Sequence, residues 1–562
     1  MTSRADYRRS SDFKIQNVAM ASTATVGITG PVVTWSSART VILAIASLLF
    51  LALCALPSLY MLGISFVGAD GSFSLFNYRH LLTDVRQRDL LFTSTLLGVG
   101  SALLATIIGA PLGLLLARAD LRAKRLLRLA LVIPLVIPPY ILGLAWIYIG
   151  GSAGLVAQVF GRDLLSNWTY SLPGAVLVLG TSFYPLTMLA TEAAARRIDA
   201  PLEEAALLVA RPRRVLARIT LPLIAPSMAA AALLTFVLAL SEFGVPGLLR
   251  VPVFTTEVFT TFAALYDFGG ATALAVPLLV VTFIAGIAVK LLIGNRMITT
   301  RRAVRTGLPL TLGRWRALAI GAFGLVLLFS VILPLGVLGR EVGRFHRIMT
   351  SLAESGSAIR NSLLLSTIGA TLIVALGALI GYGRARSRMR LRGLVDLVLI
   401  VIFAVPSTVV GIGLISLWNR PGLIGEVYNS LAIIIIAYLA RFVPVATLIL
   451  AASVRQLPIS SEEAADVGGA SWLRTFTRIV LPQIRTGLAA AWVVAFIFAF
   501  GELGATVLVT PPGESTLPVR IYTMIANTPT STVAALALMQ AGIILVPLAL
   551  FGILARNREG RA

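Results

Sequence analysis

The chain has 562 residues, of which 57% are hydrophobic and only 13% charged, with a mean hydropathy of +0.91. Soluble domains carry about a quarter charged residues, so this composition excludes an ordinary soluble domain and fits a polytopic membrane protein. One cysteine (Cys54) and two histidines (His80, His346) in separate loops exclude a disulfide framework or a cysteine metal cluster; no catalytic or metal-ligating set is expected.

In chain order, residues 1–40 are polar, include the Ser/Thr/Gly-rich stretch ASTATVGITG, and read as a flexible tail. Twelve apolar runs follow, each about long enough to cross a bilayer: 41–65, 91–117, 129–150, 170–191, 222–245, 271–293, 317–338, 361–383, 394–416, 431–453, 483–508 and 533–554. The first is too long for a signal-peptide core and lacks a clear small-residue cleavage site, so it is expected to stay. A transmembrane β-barrel would show short alternating segments instead. The expected fold class is therefore all-α, with about twelve transmembrane helices. Pro138–Pro139 and Pro406, followed by Gly143 and by Gly411 and Gly413, are expected to loosen two of these helices.

The net charge of +23 would suit nucleic acid, but its placement argues against it. With the N-terminus in the cytoplasm and loops assigned alternately, 35 of the 47 Lys and Arg fall on the cytoplasmic side, 11 fall outside, and Arg441 lies within a span. That is the positive-inside bias, and it places both termini in the cytoplasm. The basic runs 118–128 and 384–392 then read as topology anchors facing anionic lipid.

The apolar runs are written twice. Residues 93–118 align with 361–386 at an offset of 268, bringing Gly109 onto Gly377, Gly113 onto Gly381 and Arg118 onto Arg386. Farther on, Pro185 matches Pro444 and Glu204 matches Glu463 at 259, and Pro222 matches Pro482 and Glu242 matches Glu502 at 260. Residues 41–300 and 301–562 are thus expected to be two six-helix repeats. Six is even, so the repeats enter from the same side and are parallel. A translocation path between the halves follows, because each offers the other the same face.

Each repeat carries a polar helical patch between spans. In the second, Ser460 and Glu463 have capping-box spacing, Glu462–Val467 would form about two turns, and Gly468–Gly469 would end them. The segment SWLRTFTRIVL then reads as an amphipathic helix, with Trp472, Phe476 and Ile479 on one face and Arg474 and Arg478 on another. Such a helix–turn–helix, presenting small alanines, is suited to docking in another protein's cleft.

EAADVGGASWLRTFTRIVLP resembles the EAA loop of permease subunits in binding-protein-dependent ABC importers. The pattern is Glu-Ala-Ala, three residues, Gly, nine residues, Ile-x-Leu-Pro, and Glu463, Ala464, Ala465, Gly469, Ile479, Leu481 and Pro482 meet it. The first copy keeps Glu204, Ala205, Ala206, Ile219, Leu221 and Pro222, but is one residue shorter and has Ala210 at the Gly position, with Pro212 available to break the helix. The resemblance implies that both loops are coupling helices seated in grooves of two copies of a cytoplasmic ABC ATPase, with Glu463 in polar contact there. No G-x-x-x-x-G-K-[ST] occurs in the chain, so ATP would be held by that partner, and no cofactor is expected here.

Within the apolar spans, Glu242 and Glu502 occupy equivalent positions, and Arg441 has Ser182 as its counterpart. Ionisable groups at such depth face a cavity or a partner. Two readings stand side by side: the glutamates line the path, or they cap local kinks and pair with Arg441.

The resemblance implies a transmembrane permease subunit, itself no enzyme, in the bacterial inner membrane, receiving solute from a periplasmic binding protein. Fused double-length permeases of this kind resemble iron(III) importers, with thiamine, polyamine and phosphonate as alternative substrates. The competing class is an ion-coupled secondary transporter using Glu242 and Glu502, which leaves the paired loops without a role.

Overall fold

The computed structural model describes residues 37–67, 72–121, 123–293, 312–386 and 392–559. Residues 1–36 of the expected tail (1–40) lie outside them, as do the boundary between the repeats and part of each basic run. Inside hydrocarbon a backbone without water must bond to itself, which is why the apolar runs become helices. Among the described residues extended pairing is confined to isolated bridge positions, such as that between Val67 and Phe73.

The first half comprises α1 (Ala38–Ile64), α2 (Val85–Arg118), α3 (Lys124–Val136), α4 (Pro139–Gly150), α5 (Leu172–Ala195), α6 (Ala200–Leu207), α7 (Pro212–Leu240), α8 (Gly244–Leu248), α9 (Phe254–Ala263) and α10 (Phe268–Val289). The second half repeats the order: α11 (Arg316–Val342), α12 (Gly356–Arg386), α13 (Arg392–Ala404), α14 (Ser407–Trp418), α15 (Ala432–Arg455), α16 (Ser460–Val467), α17 (Trp472–Gln483), α18 (Arg485–Phe500), α19 (Thr506–Val509), α20 (Leu517–Met524) and α21 (Thr530–Glu559). Among the described residues, ten helices are long and apolar enough to span, or twelve if two sharply bent pairs each count as one.

Several expected spans are corrected in detail. α1 already covers Ala38, inside the region read as tail. The spans at 129–150 and 394–416 are each two helices, broken before Pro138 and Pro406; α13 and α14 meet at 94°. Proline removes a backbone donor and its ring forces the preceding residue to extend, so the chain must turn there. The spans at 222–245 and 483–508 stop early, at Leu240 and Phe500, and the second bends by 77° between α17 and α18.

Close approach of small residues holds each half together. A Cβ on Gly109 would lie 2.4 Å from the Tyr184 carbonyl oxygen, and one on Gly113 2.2 Å from that of Met188, so α2 and α5 touch backbone to backbone. The equivalent crossing of α12 and α15 is looser: Cβ atoms on Gly377 and Gly381 would each meet their nearest neighbours at 3.0 Å. Past α7 and α18 the chain doubles into short helices, each pinned to the long second helix by a serine. Phe254 N donates to Ser94 Oγ (2.9 Å) and Leu517 N to Ser362 Oγ (2.7 Å).

The halves interlock through their first helices. α1 packs on α12, α14 and α15 of the second half, while α11 packs on α4 of the first. The Cys54 thiol donates to Leu439 O (3.3 Å), and Gly413 lies so near α1 that a Cβ there would sit 2.7 Å from Pro57 O. A Cβ on Gly411 would sit 3.1 Å from the Leu508 side chain of α19 and 3.2 Å from Ala505 Cα just before it. These glycines therefore serve tight packing, where the sequence suggested loosening.

Gly113→Ala is expected to cost about 1–3 kcal/mol, the range for overpacking, and Gly381→Ala less. Thermal unfolding of the purified variants checks this; an equal or reversed order contradicts it.

Candidate functional site

The four helix breaks converge between the halves on a cavity of about 120 Å³. Its walls come in equivalent pairs: Pro139 and Ser407, Phe183 and Phe442, Glu242 and Glu502. Arg441 also lines it, whereas its counterpart Ser182 is fully buried and turned to Val178 O of its own helix.

Each glutamate sits where a helix stops and the next short one begins, so it faces backbone N–H groups that have lost their helical partners. Glu242 Oε1 accepts from Gly244 N (3.0 Å). Glu502 accepts from Ala505 N at Oε1 (3.0 Å) and from Thr506 N at Oε2 (2.9 Å), and Arg441 Nη1 donates to its Oε1 (2.9 Å). The two readings of these acids are thus joined: both cap the breaks, both line the cavity, and Arg441 pairs with Glu502. The pseudo-symmetry fails at this point. Glu502 is buried and neutralised, while Glu242 is partly accessible and forms no ion pair among the described residues.

Two cross-half links close the cavity's rim. Ser241 Oγ donates to Ala404 O (3.2 Å). The Tyr140 hydroxyl donates to Gln540 Oε1, and Gln540 Nε2 donates to Phe500 O (3.2 Å). Sequence reasoning missed Tyr140 and Gln540, although an amide alone inside the last apolar span was a usable signal.

Each loop lies against the end of its own half's long helix, the first at Arg118 of α2 and the second at Arg386 of α12. Glu204, Ala205, Glu463 and Ala464 are exposed, and Ala206, Ala210 and Ala465 half-buried. The expected Ser460 capping box is not formed, because Ile459 is already helical (φ −63°, ψ −31°) and no side chain caps α16. The glycine stop is formed. Gly469 takes φ +73°, Gly469 N donates to Asp466 O (2.9 Å) and Ala470 N to Ala465 O (3.0 Å), a paired closure that needs a left-handed residue. The first loop has no such residue at Ala210, and Pro212 opens the next helix rather than closing the last. In the segment after the glycines, Trp472 and Phe476 are buried as expected, with Val480 below them, and Ile479 is only half-buried.

The tips of both loops are apolar and bare. Leu208 and Val209 are each 87% exposed and Val467 is 90% exposed. Arg118, read from sequence as a lipid-facing anchor, is instead buried against Glu203, and Arg386 pairs with Glu462. All four were outside the expected site; the repetition of Arg118 as Arg386 was the signal available.

Removing one partner of a buried ion pair strands the other charge, so Glu502→Gln is expected to destabilise the protein by on the order of 3 kcal/mol. Glu242→Gln keeps its cap and strands nothing. Thermal unfolding should show a drop for Glu502→Gln alone, recovered in part by adding Arg441→Gln; equal transitions for the two single variants would refute the assignment.

Comparison with known proteins agrees with this geometry. Residues 109–297 and 373–560 each match the family described as binding-protein-dependent transport system inner membrane component. An Fe(3+)-transport system permease protein of Haemophilus influenzae is 27% identical over 79% of this chain and 85% of its own length. A ferric transport system permease protein of Actinobacillus pleuropneumoniae is 26% identical over 74% of this chain and 63% of its own. A molybdenum transport system permease protein of Mycobacterium tuberculosis is 35% identical over 29% of this chain and 62% of its own. With the family's unit present in both halves, the chain belongs to the binding-protein-dependent inner membrane components, as a double-length permease subunit of an ABC importer.

Proposed function

We propose that the chain carries ferric iron, delivered by a periplasmic binding protein, across the bacterial inner membrane. Two copies of a cytoplasmic ATPase subunit, which hold the ATP, drive it through the two loops. The repeated loops carry this reading: each presents a bare apolar tip, Leu208 with Val209 or Val467, beside the exposed Glu204 or Glu463. Exposed apolar groups grouped with a charge at equivalent points of two parallel repeats suit a partner that is itself present twice. Both termini and both loops face the cytoplasm by the charge bias.

In this mechanism ATP-driven closure of the two ATPase subunits draws the loops together, and the halves rock about the cavity to open it to one side at a time. Iron as the solute is supported by the ferric permeases to which most of the chain is similar. The cavity suits a hard cation, which prefers oxygen ligands. Glu242 is a single carboxylate with no ion-pair partner among the described residues, which attracts a cation without caging it. Passage requires that balance, since a site that binds too well does not let go. The ion-coupled alternative gives the loops nothing to do, and family membership removes its motivation.

The deciding experiment is gentle affinity purification from the native membrane with mass spectrometry of whatever co-purifies. An ATPase at about two copies per chain, as two equivalent loops require, and a binding protein loaded with iron are expected. A chain that transports while purifying alone overturns the ATP-driven reading, and a binding protein holding another solute overturns iron. A finer check ranks the loops. Glu463→Lys should lower transport more than Glu204→Lys, because the first loop departs from the family pattern and lacks the glycine closure; equal losses or the reverse order would contradict that ranking.

A further inference from the structure

Each loop carries a second glutamate, one place before the Glu-Ala-Ala run, that faces inward. In the first half Arg118 ends α2; its Nη1 lies 3.1 Å from Glu203 Oε2, and its Nη2 donates to Ala195 O (2.8 Å) at the end of α5. In the second, Arg386 ends α12; its Nη2 lies 2.6 Å from Glu462 Oε1, its Nε donates to the same oxygen (2.7 Å), and its Nη2 donates to Leu457 O (3.2 Å) just past α15. The side chains of the first pair are 4% and 9% exposed, those of the second 8% and 15%.

An arginine meant only to set topology or touch lipid headgroups would stay in water. These two are withdrawn from it, and each is committed to three equivalent elements: α2 or α12, the end of α5 or α15, and the loop. The triangle is built twice although the loops differ in length and in how their first helix ends. α5 and α15 are also the helices that place Phe183, Arg441 and Phe442 on the cavity.

We propose that Arg118 and Arg386 are positioning residues that strap each loop helix to α2 and α5, or to α12 and α15, so that a displacement of the loop reaches the cavity wall instead of being absorbed in the loop. This rests on the reading of the loops as ATPase-docking elements. The straps are unequal. Glu203 also accepts from Thr220 Oγ1 (2.9 Å), which lies on α7, so the first strap captures both helices of its loop. Glu462 instead accepts from Tyr382 Oη (2.7 Å), on α12 itself, and α17 is held to that tyrosine by ring contacts of Trp472 and Phe476, at 5.8 and 5.3 Å between centroids. Arg39 of α1 lies over the same tyrosine ring (5.3 Å to its centroid), so the second strap also gathers a group from the first helix of the other half.

The test uses the complete complex in liposomes, reading the binding-protein-stimulated part of ATP hydrolysis together with the amount of ATPase bound. Arg386→Gln should leave the ATPase bound and cut the stimulated part about five- to tenfold. Arg386→Lys, which keeps the charge and a donor, should restore most of it, and Arg118→Gln should lower it in the same direction. Undiminished stimulation in Arg386→Gln overturns the proposal. So does loss of the ATPase from both Arg386→Gln and Arg386→Lys, which would make the pair part of the docking face itself. A wild-type chain that binds no ATPase would bring down the docking reading, and the failure would then be visible before any variant is made.

Discussion

Inside hydrocarbon a helix can stop only where something else takes up the hydrogen bonds it drops, and this protein stops four helices at the same depth. At Pro138 and Pro406 an orphaned donor is avoided by proline's own chemistry, since the ring has no N–H to leave unpaired. At Leu240 and Phe500 the chain uses glutamate, whose carboxylate meets the bare N–H groups of Gly244, or of Ala505 and Thr506. The cavity is the space these four ends enclose. Its acidic lining is thus a by-product of repairing the backbone, and the groups that hold the fold open are the ones a solute would meet.

Duplication explains the plan, and one breach of it explains the chemistry of the cavity. Two carboxylates alone at this depth would repel each other across the gap. Arg441 answers one of them, and Ser182, buried and occupied with its own helix, leaves the other unanswered. A symmetric cavity would have been either doubly acidic or fully neutral. One substitution between the halves yields a cavity with a single directional charge.

Span existence, the two halves and the loops were readable from sequence because each is a contiguous pattern: a run of about twenty apolar residues, a fixed offset, a motif with set spacing. The ends of α7 and α18 were not, because Ser241–Gly244 and Gly501–Gly504 sit inside apolar runs whose average hydropathy hides a turn. Arg441 and Glu502 were visible as an anomaly, but a separation of 61 positions concealed that they pair with each other. Arg118 and Arg386 were misread for a different reason. The charge rule already accounted for basic residues there, so nothing prompted a search for partners at Glu203 and Glu462.

The exchange of first helices has a bearing on how the protein is made. α1 is inserted early in synthesis, yet the surfaces it covers on α12, α14 and α15 do not exist until most of the chain has followed. Until then its packing face is turned to lipid, where small residues and a lone thiol are tolerated but gain little. The last helices to arrive thus complete a contact begun by the first. Joining both halves in one polypeptide guarantees that the awaited surface is always at hand, in equal number, and never borrowed from another molecule.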